Sequence, residues 1–283
     1  MNRRLKIRTP SQDKWRAALI ATCSLGFVAA LGVLLLLNRD PAVDTATLCP
    51  QSVPLQTSVV VLVDTTDPFT PMQSSALTDE VTSLADSIPK YAKLTVLFLD
   101  SNSPYQPKQL VSLCNPGSSR GANPLFHTLA RLQARWQTSF GEPVQKAIAS
   151  LLSAPTSMKS PIMEAITGAT WRTDFKASVP HRELIVVSDL LQNDPGDFST
   201  YKRGDLWRRF QTSDVAHDAV PSLAGVEIHV VLLHRATAIR FQTKRLIDFW
   251  QRWLTEHGAA SVDFGENEPI QRTTGPQVAM GQG

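Results

Sequence analysis

The sequence is short of the signatures that mark most catalytic and nucleic-acid-binding chains. Its 283 residues hold three cysteines, with no Cys-x-x-Cys pair and no Cys/His cluster at metal-ligand spacing, so common structural zinc sites are excluded. Pro116-Gly117-Ser118-Ser119 lacks the downstream Lys-Ser/Thr of a nucleotide-binding loop. The six histidines are scattered; His229 alternates within a strand pattern and His181 precedes one, and both read as ordinary polar or core positions. Excess charge is also lacking, at 28 Lys+Arg against 25 Asp+Glu. The net +3 is local, because residues 1–16 carry Arg3, Arg4, Lys6, Arg8, Lys14 and Arg16 against Asp13 alone. No basic stripe remains for nucleic acid, and no nucleic-acid partner is expected.

One long apolar run is present. Ala17 to Leu37, 21 residues, contains no charged side chain. At about 1.5 Å per residue it spans a hydrocarbon core of roughly 30 Å. A cleaved signal peptide has a shorter apolar core and a small-residue cleavage site; Val28-Ala29-Ala30 loosely mimics such a site, but Leu34 to Leu37 follow it. The expectation is an uncleaved anchor with the basic stub, 1–16, in the cytoplasm and residues 38–283 on the other side, the periplasm in a bacterium. Cys23 lies in the span. Cys49 and Cys114 lie in the exported part, where oxidation is permitted, and an even count there suggests a disulfide closing a loop of 65 residues.

Residues 38–56, with Pro41, Pro50 and Pro54, read as a linker, and 265–283 as a disordered tail. Between them, 57–264, strand and helix patterns alternate. Ser58–Val63 and Leu94–Leu99 are continuous β-branched and apolar runs, as in strands buried on both faces. Leu77, Val81, Leu84 and Ile88 recur at helical spacing up to Pro89. Ser101–Asn123 reads as a long Pro- and Ser-rich loop. Pro124 opens a helix with Leu125, Leu129, Leu132 and Trp136 on one face, interrupted at Gly141 and Pro143 and resumed by Val144, Ile148, Leu151 and Leu152. Ser160-Pro161 has the form of an N-cap followed by proline at the first helical position. Further strands fall at Leu184–Val187, Val226–Leu233 and Val262–Phe264. A short helix is expected around Asp205–Phe210, and an amphipathic one carries Leu246, Phe249, Trp250, Trp253 and Leu254 as a core stripe. Strands alternating with helices predict a doubly wound, mostly parallel α/β sheet with helices on both faces.

In such sheets sites lie at the carboxyl ends of strands. Two predicted strands end in an acid: the first in Asp64-Thr65-Thr66-Asp67-Pro68, the third in Ser188-Asp189. With Ser160 they suggest an oxygen-lined pocket for a hard cation, Mg²⁺ or Mn²⁺. Here the sequence resembles the von Willebrand factor A domains, whose metal-ion-dependent adhesion site has Asp-x-Ser-x-Ser after the first strand, a loop Thr, and an Asp ending a later strand. The resemblance matches Asp64 to the first aspartate, Thr66 to the first serine, Ser160 to the loop threonine and Asp189 to the last aspartate. Pro68 falls where the second serine belongs, so one ligand is lost unless Asp67 or water substitutes. The resemblance spans roughly residues 57–264, mostly as element order. It implies a non-catalytic protein-interaction module in an envelope-associated assembly, engaging an acidic side chain of a partner protein through the cation, with the 101–123 loop setting partner choice. Two readings compete. Asp64-x-Thr66 superficially resembles the haloacid dehalogenase phosphatases, with Asp64 as nucleophile, although their general acid is replaced by Thr66. The other is a metal-independent structural subunit, with Asp64, Ser160 and Asp189 as ordinary turn and cap residues.

Overall fold

A computed structural model describes residues 10–37, 40–120, 128–151 and 156–265. The N-terminal unit is one helix, α1 (Pro10–Leu37). Proline suits its first position, because the N–H it lacks is unpaired there in any helix. Among the described residues, α1 is the one helix long and apolar enough to cross a membrane, through Lys14–Val33. Trp15, Ile20, Leu25 and Phe27 are all exposed along it, so no described residue of its own unit covers them.

The second unit begins at Val43, so much of the expected linker belongs to it. The Asp44 carboxylate accepts the N–H groups of Ala46 and Thr47 and the Thr47 hydroxyl, folding a turn. That turn is fastened to the sheet by the Cys114 N–H donating to the Thr47 carbonyl, and by a Cys49–Cys114 disulfide.

Six strands form the sheet: β1 (Thr57–Val63), β2 (Lys93–Phe98), β3 (Lys108–Cys114), β4 (His181–Ser188), β5 (Val226–Leu232) and β6 (Ser261–Gly265), in the order β3-β2-β1-β4-β5-β6. All pairs are parallel except β2 with β3. The chain reverses direction across the sheet at β1, and β1 and β4 lie side by side with Val63 opposite Val187. Alternate residues of β1 feed two cores. Val60 and Leu62 pack with the helices Ile162–Thr170 and Lys244–Glu256 on one face; Val59, Val61 and Val63 pack with the helices Pro71–Ser87 and Glu142–Leu151 on the other. This is why the strand reads as an unbroken apolar run.

Strand β3 corrects the sequence reading, which placed an unstructured loop over 101–123. It is an edge strand in which only Val111 and Cys114 are buried, so its alternation is weak, and Pro107 and Pro116 flank it. Its Ser112 hydroxyl meets Thr95 at 2.8 Å.

Helix α2 (Pro71–Ser87) starts earlier than its apolar repeat suggests. Thr70 and Gln73 form a reciprocal capping box, and proline follows the cap. A second correction concerns Gly141 and Pro143, which do not break the chain direction. Helix α3 (Leu129–Trp136), a π-turn (Gln137–Gly141) and α4 (Glu142–Leu151) follow without a gap. Pro143 falls in the first turn of α4, where the wider π-turn accommodates a missing N–H. The expected start at Pro124 and Leu125, and Leu152, lie outside the described residues, as does 266–283 of the expected tail.

Helix α5 (Ile162–Thr170) is buried along its whole length. Gly168 lets it approach the segment before β3: a Cβ there would stand 2.0 Å from the Tyr105 carbonyl oxygen. Gly168→Ala should therefore destabilise by about 2 kcal/mol, since overpacking costs up to about 3 and helix propensity returns about 1. The check is thermal unfolding of the detergent-solubilised chain followed by near-UV circular dichroism. An unchanged midpoint would contradict the close approach.

Helices α6 (Leu206–Gln211), capped by Asp205, α7 (Val215–Asp218) and α8 (Lys244–Glu256) complete that face. The aromatic stripe of α8 is core, as expected, and Trp250 donates its indole N–H to the Leu190 carbonyl at 2.8 Å, pinning the segment just after β4.

Candidate functional site

The carboxyl ends of β1 and β4 place Asp64 and Ser188-Asp189 on one rim. The Asp64 N–H donates to the Val187 carbonyl at 2.8 Å, continuing the ladder past the strand end. Asp64, only 3 % exposed, is surrounded by donors. Its Oδ1 accepts the Thr66 N–H at 3.0 Å and the Thr66 hydroxyl at 2.7 Å. Its Oδ2 accepts the Ser188 hydroxyl at 2.8 Å and the Ser160 hydroxyl at 3.3 Å. Asp64, Thr66 and Ser160 thus meet at one carboxylate.

Ser160 is not a helix cap. Pro161 holds the N-cap position of α5, and the Ser160 hydroxyl crosses to Asp64 instead. Its main chain is tied to the segment after Asp189 by two mutual hydrogen bonds with Asn193, each 2.9 Å. Gln192 supports the same junction. Its Oε1 accepts the Met163 N–H, and its Nε2 donates to Glu164.

Asp189 belongs to the same rim but has a different partner. Its Oδ1 accepts the Leu191 N–H at 2.9 Å, and its Oδ2 accepts Arg235 Nε at 3.0 Å. Leu190 sits at φ 61°, and its N–H donates to the Ser188 hydroxyl. That left-handed step is held by the core around Leu190 and by Trp250, and it turns the chain sharply after Asp189. Burial pushes the Asp189 carboxyl upward, the nearby Asp64 adds to this, and the Leu191 N–H and Arg235 pull it back. Tyr201, behind the rim, is pushed up to about 12 by burial, then by the acids Asp189, Asp67 and Asp64.

The guanidinium of Arg235 lies across the mouth of this cluster. Besides Asp189 it reaches the Pro68 carbonyl through Nη1 at 2.7 Å and the Asp67 carbonyl through Nη2 at 3.4 Å. Asp67 therefore joins the site through its main chain, and Pro68, which supplies no side-chain oxygen, supplies a carbonyl. As placed, these residues do not fit a divalent cation. The Arg235 guanidinium holds one oxygen of Asp189 and the Asp67 and Pro68 carbonyls, so a fixed positive charge stands where a cation would sit. Among the described residues no group of three or more His, Cys, Asp or Glu is arranged to hold a metal.

Sequence reasoning missed Arg235, Gln242 and the bond from Ser188 to Asp64. Arg235 carried one legible signal, its place just beyond the carboxyl end of β5. Gln242 carried none, yet it clamps the turn: its Oε1 accepts the Arg235 N–H at 2.7 Å, and its Nε2 donates to the carbonyls of Leu233 and Asp189. His181 is exposed at the start of β4, and His229 lies mid-strand on β5 between Glu183 and Asp263.

Below the rim, burial raises the Glu164 carboxyl above its ordinary range. A carboxyl raised in the fold contributes fully below its unfolded pKa of about 4.3 and loses that contribution as pH rises through the folded value. Glu164→Gln, which keeps an acceptor for Gln192, should thus be more stable than wild type at pH 8, with the gap closing toward pH 5. Parallel urea titrations at the two pH values check this; a gap independent of pH would contradict it.

The strand order, the mostly parallel sheet with helices on both faces, and Asp64 and Asp189 at one rim after β1 and β4 give this chain a doubly wound α/β fold similar to that of the von Willebrand A domains. No family profile and no curated protein matches the sequence. Similar solved structures include a von Willebrand factor type A protein from Catenulispora acidiphila, 12% identical over 76% of this chain and 39% of that one, TM-score 0.42. An aerotolerance-related membrane protein from Bacteroides fragilis is 12% identical over 75% of this chain and 92% of that one, TM-score 0.36. The pilus adhesin SpaC from Lactobacillus rhamnosus GG is 10% identical over 75% of this chain and 31% of that one, TM-score 0.36. Likeness at this level concerns the fold and says nothing of what this chain binds.

Proposed function

We propose that this chain is a membrane-anchored, non-catalytic protein-interaction module of an envelope-associated assembly. It is held by α1 with its N-terminus in the cytoplasm, and it presents the Asp64–Asp189 rim to a protein partner. The observation that carries the reading is the closed hydrogen bonding of Asp64. A nucleophilic aspartate needs a free lone pair and a nearby acid, whereas here all four acceptor positions are engaged. Thr66, at the position of the missing general acid, donates to Asp64 itself.

The surroundings suit docking. Met158 is 92% exposed on the loop whose Ser157 N–H donates to the Thr66 carbonyl, and Met72 is 82% exposed beside the cap of α2. Flexible, polarizable methionines at a rim adapt to a partner surface. Anchoring rests on the length and composition of α1, and the orientation on the basic residues that precede its apolar run.

Affinity purification from detergent-solubilised membranes tests the reading. A defined set of membrane-assembly proteins should co-purify with the wild type and be lost with Met72→Asp/Met158→Asp. Retention by that variant would remove the rim from the interface, and Asp64-dependent phosphatase turnover would replace the reading by an enzyme.

A further inference from the structure

We propose that Arg235 is the built-in cation of this rim: its guanidinium takes the place among Asp64, Asp189 and the 66–68 turn that the sequence pattern reserves for a divalent metal, so the domain works without one. The inference concerns the site's occupant and stands whether or not the interaction reading holds.

Three independent features of the geometry carry it. First, Arg235 is a buried residue, 9% exposed, and its partner Asp189 is 2% exposed. A side chain that had merely folded back from solvent would not be enclosed to this degree. Second, Arg235 is positioned from both ends. Its N–H is held by Gln242, whose amide also grips the Asp189 carbonyl, so one clamp fixes the backbone of the cation against that of its acid. Third, the guanidinium fills the defect in the metal pattern. At Pro68, where the pattern loses a hydroxyl ligand, the carbonyl accepts Nη1 at 2.7 Å, and the neighbouring Asp67 carbonyl accepts Nη2. A planar fork with several fixed donors suits one carboxylate oxygen and two carbonyls spread along a turn. A metal would instead need those oxygens converging on a point.

The charge also fits. Two buried carboxylates left alone would repel each other and carry a heavy desolvation cost. One permanently charged guanidinium against Asp189, with four donors on Asp64, offsets that cost. A divalent ion added beside the guanidinium would face its positive charge at close range.

The test uses the full-length protein in detergent micelles with Mn²⁺ as probe. Isothermal titration and thermal unfolding in Mn²⁺ and in EDTA are compared for wild type, Arg235→Ala and Arg235→Ala/Asp64→Asn. Arg235→Gln, which keeps a donor for Asp189, is included in case the alanine variant fails to fold. Wild type should show no saturable binding and the same melting midpoint in both buffers. Removing the guanidinium should create Mn²⁺ binding, raising the midpoint by about 5–10 °C at a hundredfold excess over Kd, and Asp64→Asn should abolish it. Saturable Mn²⁺ binding by wild type would overturn the proposal. So would folded Arg235 variants that remain indifferent to the metal, because the guanidinium would then not be what fills the metal's place.

Discussion

Asp189→Ala should lower the stability of the globular unit by about 3–5 kcal/mol, a drop in melting midpoint on the order of 10 °C. Removing the carboxylate leaves Arg235 enclosed with only two carbonyls, and an uncompensated buried charge is costly. It also frees the Leu191 N–H, which Asp189 accepts at the turn after β4. If the loss comes from the stranded cation, Asp189→Ala/Arg235→Met should be more stable than Asp189→Ala alone, because an apolar pair of similar volume is often close to neutral. Chemical denaturation of the three proteins decides it. If the double variant is no better than the single one, the cost lies in the turn and not in the charge.

The second large effect concerns the disulfide. Cys49 and Cys114 are 65 residues apart in sequence, and the loop they close includes β1, α2, β2 and nearly all of β3. Loop-closure entropy for that length corresponds to about 4 kcal/mol, so Cys49→Ser/Cys114→Ser should lower the melting midpoint by on the order of 10 °C. A reductant should do the same to wild type and nothing further to the variant. Equal midpoints for oxidised and reduced wild type would show that the turn at Asp44–Thr47 holds without the bond.

Much of this architecture was legible in the residues. Central parallel strands must be apolar on both faces, so β1, β2, β4 and β5 announced themselves, and the stripe of α8 did the same for the opposite core. What escaped was where those patterns weaken. Strand β3 buries one face poorly and pairs antiparallel at an edge, which needs no apolar run. The π-turn absorbs Gly141 and Pro143, two residues that normally punctuate a helix. At the site, Asp64 and Asp189 were legible because strand ends in a doubly wound sheet converge on one rim, and Thr66 and Ser160 came from the resemblance to the von Willebrand A motif. Gln242 was not legible, and Arg235 only through its place just past β5, since both reach the rim from a loop whose path no periodicity dictates. Pro68 reads in the sequence as a missing ligand; in the fold its carbonyl is a contact for the guanidinium.

The fastening of Cys49 to Cys114 also governs how the molecule bears mechanical load. A pull applied along residues 40–48 reaches Cys49 and passes through the sulfur bridge to the end of β3, so the intervening chain cannot lengthen while the bridge is intact. At about 3.6 Å per residue, some 230 Å of contour is withheld from extension. A pull applied between the segment before Cys49 and the chain after Cys114 would lengthen the molecule by that much less, with β1 and β2, which lie inside the bridged loop, shielded from it.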